Sequence, residues 1–300
     1  MKRLRIDIER IIKELEIAAR ELVTTRIVGR YKSVFRGKGL EFEDYRAYTP
    51  QDDASNIDWK ASLRTNRLLI KEFKEERNLN VFFLIDTSQS MLFGSSPKLK
   101  SEYAATLAAS LAYLIQRAND SFGYALFNDK VVKFRLPARG ISQFQIFLRE
   151  ISDLKNWGNN FRFSEALNYV FNILDERTIV IIISDFIGLE KEKNWKEIIK
   201  LFARKFDTIA MMIRDKRDEK LPEENIEITI QDPYSEKILF INSKLIAKKY
   251  ESYVKRQEEE IRRVFTNYEV DFIKLRTDKP FVPLLIELFK KREQRLRLIS

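Results

Sequence analysis

The pattern of apolar and polar residues changes near residue 78. Over residues 4–23 apolar residues recur at helical spacing, which predicts one amphipathic helix. Residues 24–78 are rich in glycine, aspartate, arginine and aromatics, which is typical of an irregular segment with a few short strands. From residue 79, segments that are apolar on both faces alternate with amphipathic segments, which predicts a parallel sheet covered by helices on both sides.

This pattern predicts an α/β fold in two parts, a family-specific N-terminal segment at 1–78 and a Rossmann-like domain at 79–300. The predicted strands are 80–86, 121–129, 178–186, 207–215 and 270–277. The predicted helices are 100–120, 142–154, 163–174, 194–206, 243–266 and 281–297. Residues 225–232 and 236–241 are predicted to form a hairpin at the edge of the sheet.

The chain contains neither cysteine nor histidine. This excludes disulfides, Cys-His and Ser-His-Asp nucleophiles, and the usual ligands of zinc, copper and iron. Any metal would be a hard cation bound by oxygen, such as Mg2+, Mn2+ or Ca2+.

The net charge of +10 fits either an anionic partner or a solvated basic surface. The stretches at 24–40 and 289–298 each contain five basic residues, and they are the basis of an alternative interpretation as a nucleic-acid-binding protein. No apolar run reaches the roughly 20 residues of a membrane span, and the N-terminus lacks the apolar core of a signal peptide. We therefore expect a cytoplasmic protein.

The stretch "VFFLIDTSQSM" ends an apolar strand with three oxygen side chains on alternate positions, Asp86, Ser88 and Ser90. Ligands of parallel sheets bind beyond the carboxyl ends of the strands, and these oxygens could form half of a Mg2+ shell. A serine-rich loop that caps the next helix would have the same pattern. A second apolar strand, "TIVIIISDF", ends in Asp185, so the two acids could meet in one crevice.

"DTSQSM" followed by "SDF" about 100 residues later resembles the DxSxS motif and distal aspartate of the von Willebrand factor A domain. Residues 29–76 resemble bacterial "domain of unknown function 58" proteins, which join such a block to a von Willebrand A domain. The resemblance implies that Asp86, Ser88, Ser90 and Asp185 bind a metal ion in a metal-ion-dependent adhesion site. It also implies a MoxR-type AAA+ ATPase, or its client protein, as the partner.

One departure concerns the threonine that the family usually has before a helix ending in Ala-Leu. Here the loop reads "WGNNFRFSEAL", so Asn159 or Asn160 takes that place, and we assign Asn160 as the candidate ligand. An amide oxygen can bind Mg2+ or Ca2+, although the loss of the threonine could also leave the site without a metal.

Four acids of the upstream block, Asp44, Asp52, Asp53 and Asp58, could form a second site, but we expect them to serve turns, helix caps and arginine pairs. Together these features predict a non-enzymatic, metal-dependent protein-binding module that acts as an adaptor for the ATPase. A Mg2+-dependent phosphoesterase that uses Asp86 and Asp185 is a second alternative, although a two-metal site would normally need more acids. We expect neither a small-molecule substrate nor a nucleic-acid partner.

Overall fold

The computed structural model describes residues 41–49, 52, 57–65, 67–74, 79–235 and 237–299. The predicted helix at 4–23 and the basic stretch at 24–40 lie outside the described residues. Contacts between residues divide the chain into two units. One is Phe35–Leu79, and the residues from Asn80 onward belong to the other.

The smaller unit contains a two-stranded antiparallel sheet and a short helix. Its elements are β1 (Glu41–Ala47), α1 (Trp59–Thr65) and β2 (Leu69–Lys74). Asp58 caps α1, because its Oδ1 accepts a hydrogen bond from the amide of Lys60 at 3.0 Å. Its Oδ2 accepts a hydrogen bond from the hydroxyl of Tyr45 in β1 at 3.0 Å. Asp52 accepts two hydrogen bonds from the Arg46 guanidinium, at 2.8 and 2.6 Å. These two acids have the structural roles that the sequence predicts.

The larger unit is built on a central six-stranded sheet flanked by helices. Its elements are β3 (Asn80–Asp86), α2 (Lys100–Arg117), β4 (Ser121–Phe127), β5 (Val131–Ala138), α3 (Ile141–Ser152), α4 (Phe163–Ile173), β6 (Thr178–Ser184), α5 (Trp195–Lys205), β7 (Asp207–Arg214), α6 (Lys216–Glu219), β8 (Glu227–Gln231), β9 (Ile238–Asn242), α7 (Ser243–Asn267), β10 (Asp271–Arg276) and α8 (Val282–Ile299). The strand order is β10-β7-β6-β3-β4-β5, and only the β4–β5 pair is antiparallel. The predicted mixed α/β architecture around a mainly parallel sheet is confirmed. The five parallel strands place their carboxyl ends along one edge.

The core lies on both faces of the two central strands, β3 and β6. Residues 81–86 and all of β6 are buried, which explains why these strands are apolar at consecutive positions. The rings of Phe83 and Phe147 stack with centroids 6.1 Å apart, so α3 packs on one face of β3. Phe82 and Leu84 belong to the cluster that also contains Val170 of α4.

Two features differ from the sequence prediction. β5, which pairs with β4 as the antiparallel edge strand, was not predicted, although Lys133 and Arg135 alternate with apolar residues along it. The hairpin predicted at the sheet edge forms instead a separate two-stranded sheet of β8 and β9. Its strands are short and expose apolar residues, and the same sequence pattern is found in the edge strands of larger sheets.

The two long C-terminal helices, α7 and α8, contain many charged residues. In the described part of the chain, no helix combines the length and the apolar character that a membrane crossing needs.

Gly123 permits the close pairing of β4 with β5, and its replacement by alanine should destabilise the fold. A Cβ at this position would lie 2.6 Å from the carbonyl oxygen of Arg135 and 2.6 Å from the nitrogen of Pro137, both backbone atoms. We expect Gly123→Ala to lower the free energy of unfolding by about 1–3 kcal/mol, measured by denaturant unfolding. Ser121→Ala, on the same strand, is the control and should have little effect. Equal stability of the two variants would contradict this account of the strand pair.

Candidate functional site at the carboxyl edge of the sheet

The candidate site lies where β3 and β6 end side by side. The two strands are parallel neighbours, with Ile85 paired to Ile183, so Asp86 and Ser184 follow at the same level. Asp185 comes directly after β6. The structure therefore brings together the two strand-end acids that the sequence identified, because parallel strands in register end at the same edge.

Asp86 is completely buried and connects the loops that follow the two strands. Its Oδ1 accepts a hydrogen bond from the backbone amide of Ser88 at 2.8 Å, and its Oδ2 accepts one from the Ser184 hydroxyl at 2.6 Å. The Ser184 oxygen in turn accepts a hydrogen bond from the amide of Phe186 at 2.8 Å. Phe186 has a φ of 54°, which is strained for a bulky residue, and such strain concentrates at functional sites. One carboxylate thus fixes the geometry of both loops.

The electrostatic environment of Asp86 disfavours its negative charge. Burial, followed by the nearby negative charge of Asp185, raises the pKa of Asp86 from 3.8 to about 7, although hydrogen bonds from Ser184 and Ser88 partly oppose the shift. No ion pair with Asp86 is present among the described residues. Either a bound proton or a nearby cation would therefore stabilise the buried carboxyl group of Asp86.

Asp185 already has a counter-charge, the ammonium of Lys100. Lys100 is the first residue of α2 and is fully buried, and its Nζ lies 2.7 Å from Asp185 Oδ2 and 2.8 Å from Asp218 Oδ2. Burial by itself lowers the pKa of an ammonium, but attraction to the two carboxylates raises the pKa of Lys100 above its ordinary value. The second oxygen of Asp185, Oδ1, accepts a hydrogen bond from the amide of Ile187 at 2.9 Å.

Lys100 is a residue of this site that the sequence pattern does not predict. One feature could have indicated it, since a cation in the first turn of a helix opposes the helix dipole and is usually disfavoured there. Such a lysine, next to a loop with an expected cluster of acids, points to a buried ion pair.

Ser88 and Ser90 lie beside Asp86 and are covered by a residue from far along the chain. Both serines are buried, and their hydroxyl oxygens are 3.3 Å apart. The hydroxyl of Tyr234, in the turn between β8 and β9, lies 3.0 Å from the oxygen of Ser88 and 2.8 Å from that of Ser90. Burial, followed by the negative charges of Asp185 and Asp86, raises the pKa of Tyr234, so its phenol stays neutral. The sequence gives no indication of this contact, because the turn is 146 residues from Ser88.

Asn160 lies in the neighbouring loop but at the surface. Backbone hydrogen bonds join this loop to the serine loop, from Gln89 to the carbonyl of Asn159 at 2.9 Å and from Gly158 to the carbonyl of Thr87 at 2.8 Å. Asn160 itself is exposed and lines an open groove of about 410 Å³ beside Gln89, Asn159 and Tyr234. Among the described residues the structure shows no hydrogen bond from its amide to the two serines.

The donors at this edge suit a hard cation only if hydroxyl oxygens serve as ligands. In the described part of the chain, no three acidic side chains converge where a metal ion could be held. The available set is the carboxylate of Asp86, which has no counter-charge among the described residues, and the hydroxyls of Ser88, Ser90 and Tyr234. Neutral oxygens with one charged oxygen are a set that Mg2+, Mn2+ and Ca2+ accept, so the residues fit such an ion.

Fold and site together define an α/β protein with a carboxylate–hydroxyl site at the carboxyl edge of a mainly parallel sheet. Residues 44–260 match the family described as "Protein of unknown function DUF58", and the chain belongs to this family. The uncharacterized protein Rv1480 of Mycobacterium tuberculosis is 26% identical over 227 residues, which cover 75% of this chain and 70% of that protein. The uncharacterized protein YeaD of Bacillus subtilis is 28% identical over 107 residues, or 36% of this chain and 25% of that protein.

Among solved structures, the chain is similar to the conserved hypothetical protein BatB from Bacteroides thetaiotaomicron. The match covers 72% of this chain and 99% of that one, with 16% sequence identity and a TM-score of 0.45.

Replacing Lys100 with methionine should strongly destabilise the larger unit. Methionine has a similar length but leaves Asp185, which is fully buried, without its counter-charge. We expect Lys100→Met to lower the free energy of unfolding by about 3–5 kcal/mol, measured by denaturant unfolding. Lys98→Met is the matched control and should change it by less than about 0.5 kcal/mol. A small effect of Lys100→Met would show that the ion pair is unimportant for folding.

Replacing Asp86 with asparagine should change how stability depends on pH in the presence of a chelator. In the unfolded chain the pKa of this carboxyl is 3.8, whereas in the folded protein it is about 7. Between these values the folded state binds a proton that the unfolded state has released, so stability falls as the pH rises through this window. The fall should be smaller in Asp86→Asn, because asparagine does not ionise.

The measurement is denaturant unfolding of the wild type and the variant from about pH 5 to pH 8. Asp175→Asn, at an exposed position, is the control and should keep the wild-type slope. Parallel pH profiles of wild type and Asp86→Asn would mean that Asp86 is not the group responsible.

Proposed function

We propose that this chain is a non-enzymatic protein-binding module whose site holds a divalent cation, and that a carboxylate of a partner protein completes the coordination. Mg2+ is the first candidate, and Mn2+ and Ca2+ have the same preference for oxygen. Asp86 supplies the negative charge, and Ser88 and Ser90 are neutral ligands. The observation on which the proposal depends is the buried, uncompensated carboxylate of Asp86 beside hydroxyl oxygens at the carboxyl edge.

The charges of the site favour a bound cation. Lys100 is shared by two carboxylates, Asp185 and Asp218, so its charge is not available to Asp86. Because uncompensated charges are costly in a buried cluster, a bound cation would stabilise the ionised form of Asp86.

In this proposal Asp185 acts on the cation from a distance, because Lys100 already occupies one of its oxygens. Its charge still adds to the negative potential at Asp86, as the raised pKa of Asp86 indicates. Such a site attracts a cation without enclosing it in acids, which leaves the ion able to attract the carboxylate of a partner.

The fold is consistent with a von Willebrand factor A domain, which we propose as the finer classification. The supporting features are a parallel sheet with one antiparallel edge strand, the "DTSQS" loop at the end of β3, and Asp185 at the end of the adjacent β6. By resemblance to that class, we propose a MoxR-type AAA+ ATPase or its client protein as the cytoplasmic partner. The chain would then act as an adaptor for the ATPase.

The two alternative functions have less support. A two-metal phosphoesterase would normally need several acids close together, and in the described part of the chain no three acidic side chains converge where metal ions could be held. The basic stretch at 289–298 is partly engaged within the protein, since the buried Arg292 bonds to Asp207 and Asp271.

The proposal is tested by measuring affinity for a purified MoxR-type ATPase from the same genome, with Mg2+ or with a chelator. We expect binding in Mg2+ and its loss in chelator. Asp86→Asn should abolish Mg2+-dependent binding, because it removes the charged ligand. Ser88→Ala should weaken it less, since a water molecule can replace a hydroxyl ligand. Asp175→Asn is the control and should bind as the wild type does.

Equal wild-type affinity in Mg2+ and in chelator would refute the metal-dependent mechanism. Metal-dependent turnover of a generic phosphoester that Asp86→Asn abolishes would favour the phosphoesterase instead. Retention on DNA that decreases steeply with salt would favour the nucleic-acid alternative.

A further inference from the structure

Three hydroxyl oxygens form a small triangle at the carboxyl edge of the sheet. They belong to Ser88, Ser90 and Tyr234, and the sides of the triangle are 3.3, 3.0 and 2.8 Å. Adjacent ligands of an octahedral Mg2+ lie about 2.1 Å from the ion and therefore about 3.0 Å from each other. The triangle thus has the size of one face of a magnesium coordination shell.

The hydrogen bonds of Tyr234 allow its oxygen to act as a ligand. A phenol has one hydrogen and two lone pairs, and the carbonyl oxygen of Ile187 lies 3.1 Å from the Tyr234 hydroxyl as an acceptor. The single hydrogen can be donated either to the Ser90 oxygen at 2.8 Å or to Ile187. When it points to Ile187, a lone pair is free to face a cation beside the serine oxygens. The same carbonyl would keep the phenol in this orientation after the ion has bound.

The position of Tyr234 is fixed by its surroundings. Its backbone amide donates to Asp232 Oδ1 at 3.0 Å, and the ammonium of Lys191 lies 3.3 Å from Asp232 and 5.8 Å from the centroid of the Tyr234 ring. Gly188, with a φ of +96°, leaves room for the ring, because a Cβ there would lie 3.0 Å from Tyr234 Cε2. The oxygen is therefore held in place before any ion binds, which lowers the cost of binding.

We infer that Tyr234 is the third neutral oxygen ligand of the cation and takes the place that the sequence analysis assigned to Asn160. This inference rests on the proposed function, because it requires that the site bind a divalent ion. It assigns the ligand to the turn between β8 and β9, so the ion would join that hairpin to the loop after β3. The hairpin then belongs to the metal site even though it lies outside the central sheet.

The test is metal binding by the full chain in the absence of any partner. Tb3+, a hard cation that prefers oxygen ligands, emits when an aromatic side chain close to it is excited, and Mn2+ or Mg2+ should compete for the same site. We expect wild type to bind Tb3+ with sensitised emission that Mg2+ displaces. Tyr234→Phe keeps the ring but removes the oxygen, and it should lower both Mn2+ affinity, measured by calorimetry, and Tb3+ affinity by about 10-fold or more.

The matched control is Tyr103→Phe, which also removes a buried hydroxyl bonded to a backbone carbonyl, that of Lys279 at 3.0 Å. This variant should keep wild-type metal affinity. Ser90→Ala should lower the affinity in parallel with Tyr234→Phe, because both remove a corner of the triangle. Thermal unfolding with and without Mn2+ checks that each variant is folded and reports metal binding independently of emission.

Unchanged or tighter metal binding by Tyr234→Phe would overturn the inference, since the tyrosine would then only cover the serines or compete with the ion. If wild type binds no cation in the millimolar range, both the inference and the metal-dependent function fail. If metal binding behaves as expected but the ATPase does not bind, only the proposed partner is wrong.

Discussion

The buried ammonium of Lys100, held between Asp185 and Asp218, is the interaction on which the arrangement of the carboxyl edge depends. It joins the start of α2 to the loop after β6 and to α6, three segments that are distant in sequence. A charge that is removed from water must be matched by opposite charges at close range. The three segments are therefore coupled, and displacement of the start of α2 would leave two carboxylates without this counter-charge.

Lys100 also makes the charge environments of the two strand-end acids different. Asp185 is neutralised within the protein, whereas Asp86 has hydrogen bonds but no cation among the described residues. Two acids that look equivalent at the ends of neighbouring strands thus have different electrostatic environments. Asp185 is paired with a buried ammonium, and Asp86 has no ion pair in the described part of the chain.

The turn of the β8–β9 hairpin covers the serine hydroxyls at this edge of the sheet. Tyr234 reaches from the turn of the hairpin to the serine hydroxyls and to the backbone after β6, so three loops meet at one phenolic oxygen. Asp86, Ser88 and Ser90 are therefore buried, although they follow the end of a strand. Exclusion of water strengthens the electrostatic interactions among these groups.

The sequence by itself determined the mixed α/β class, most of the helices and strands, and the acids that end β3 and β6. The helices and strands follow from the period of apolar residues, which is a local property of the chain. The two acids follow from their position directly after apolar strand segments. It did not predict β5, whose alternating pattern is weak, or the separation of the hairpin from the central sheet. Only the tertiary structure decided that Lys100 neutralises Asp185, 85 residues away, and that Tyr234 covers Ser88, 146 residues away. A hydrogen bond or ion pair depends on positions to within a fraction of an ångström, and those positions exist only when distant segments have packed together.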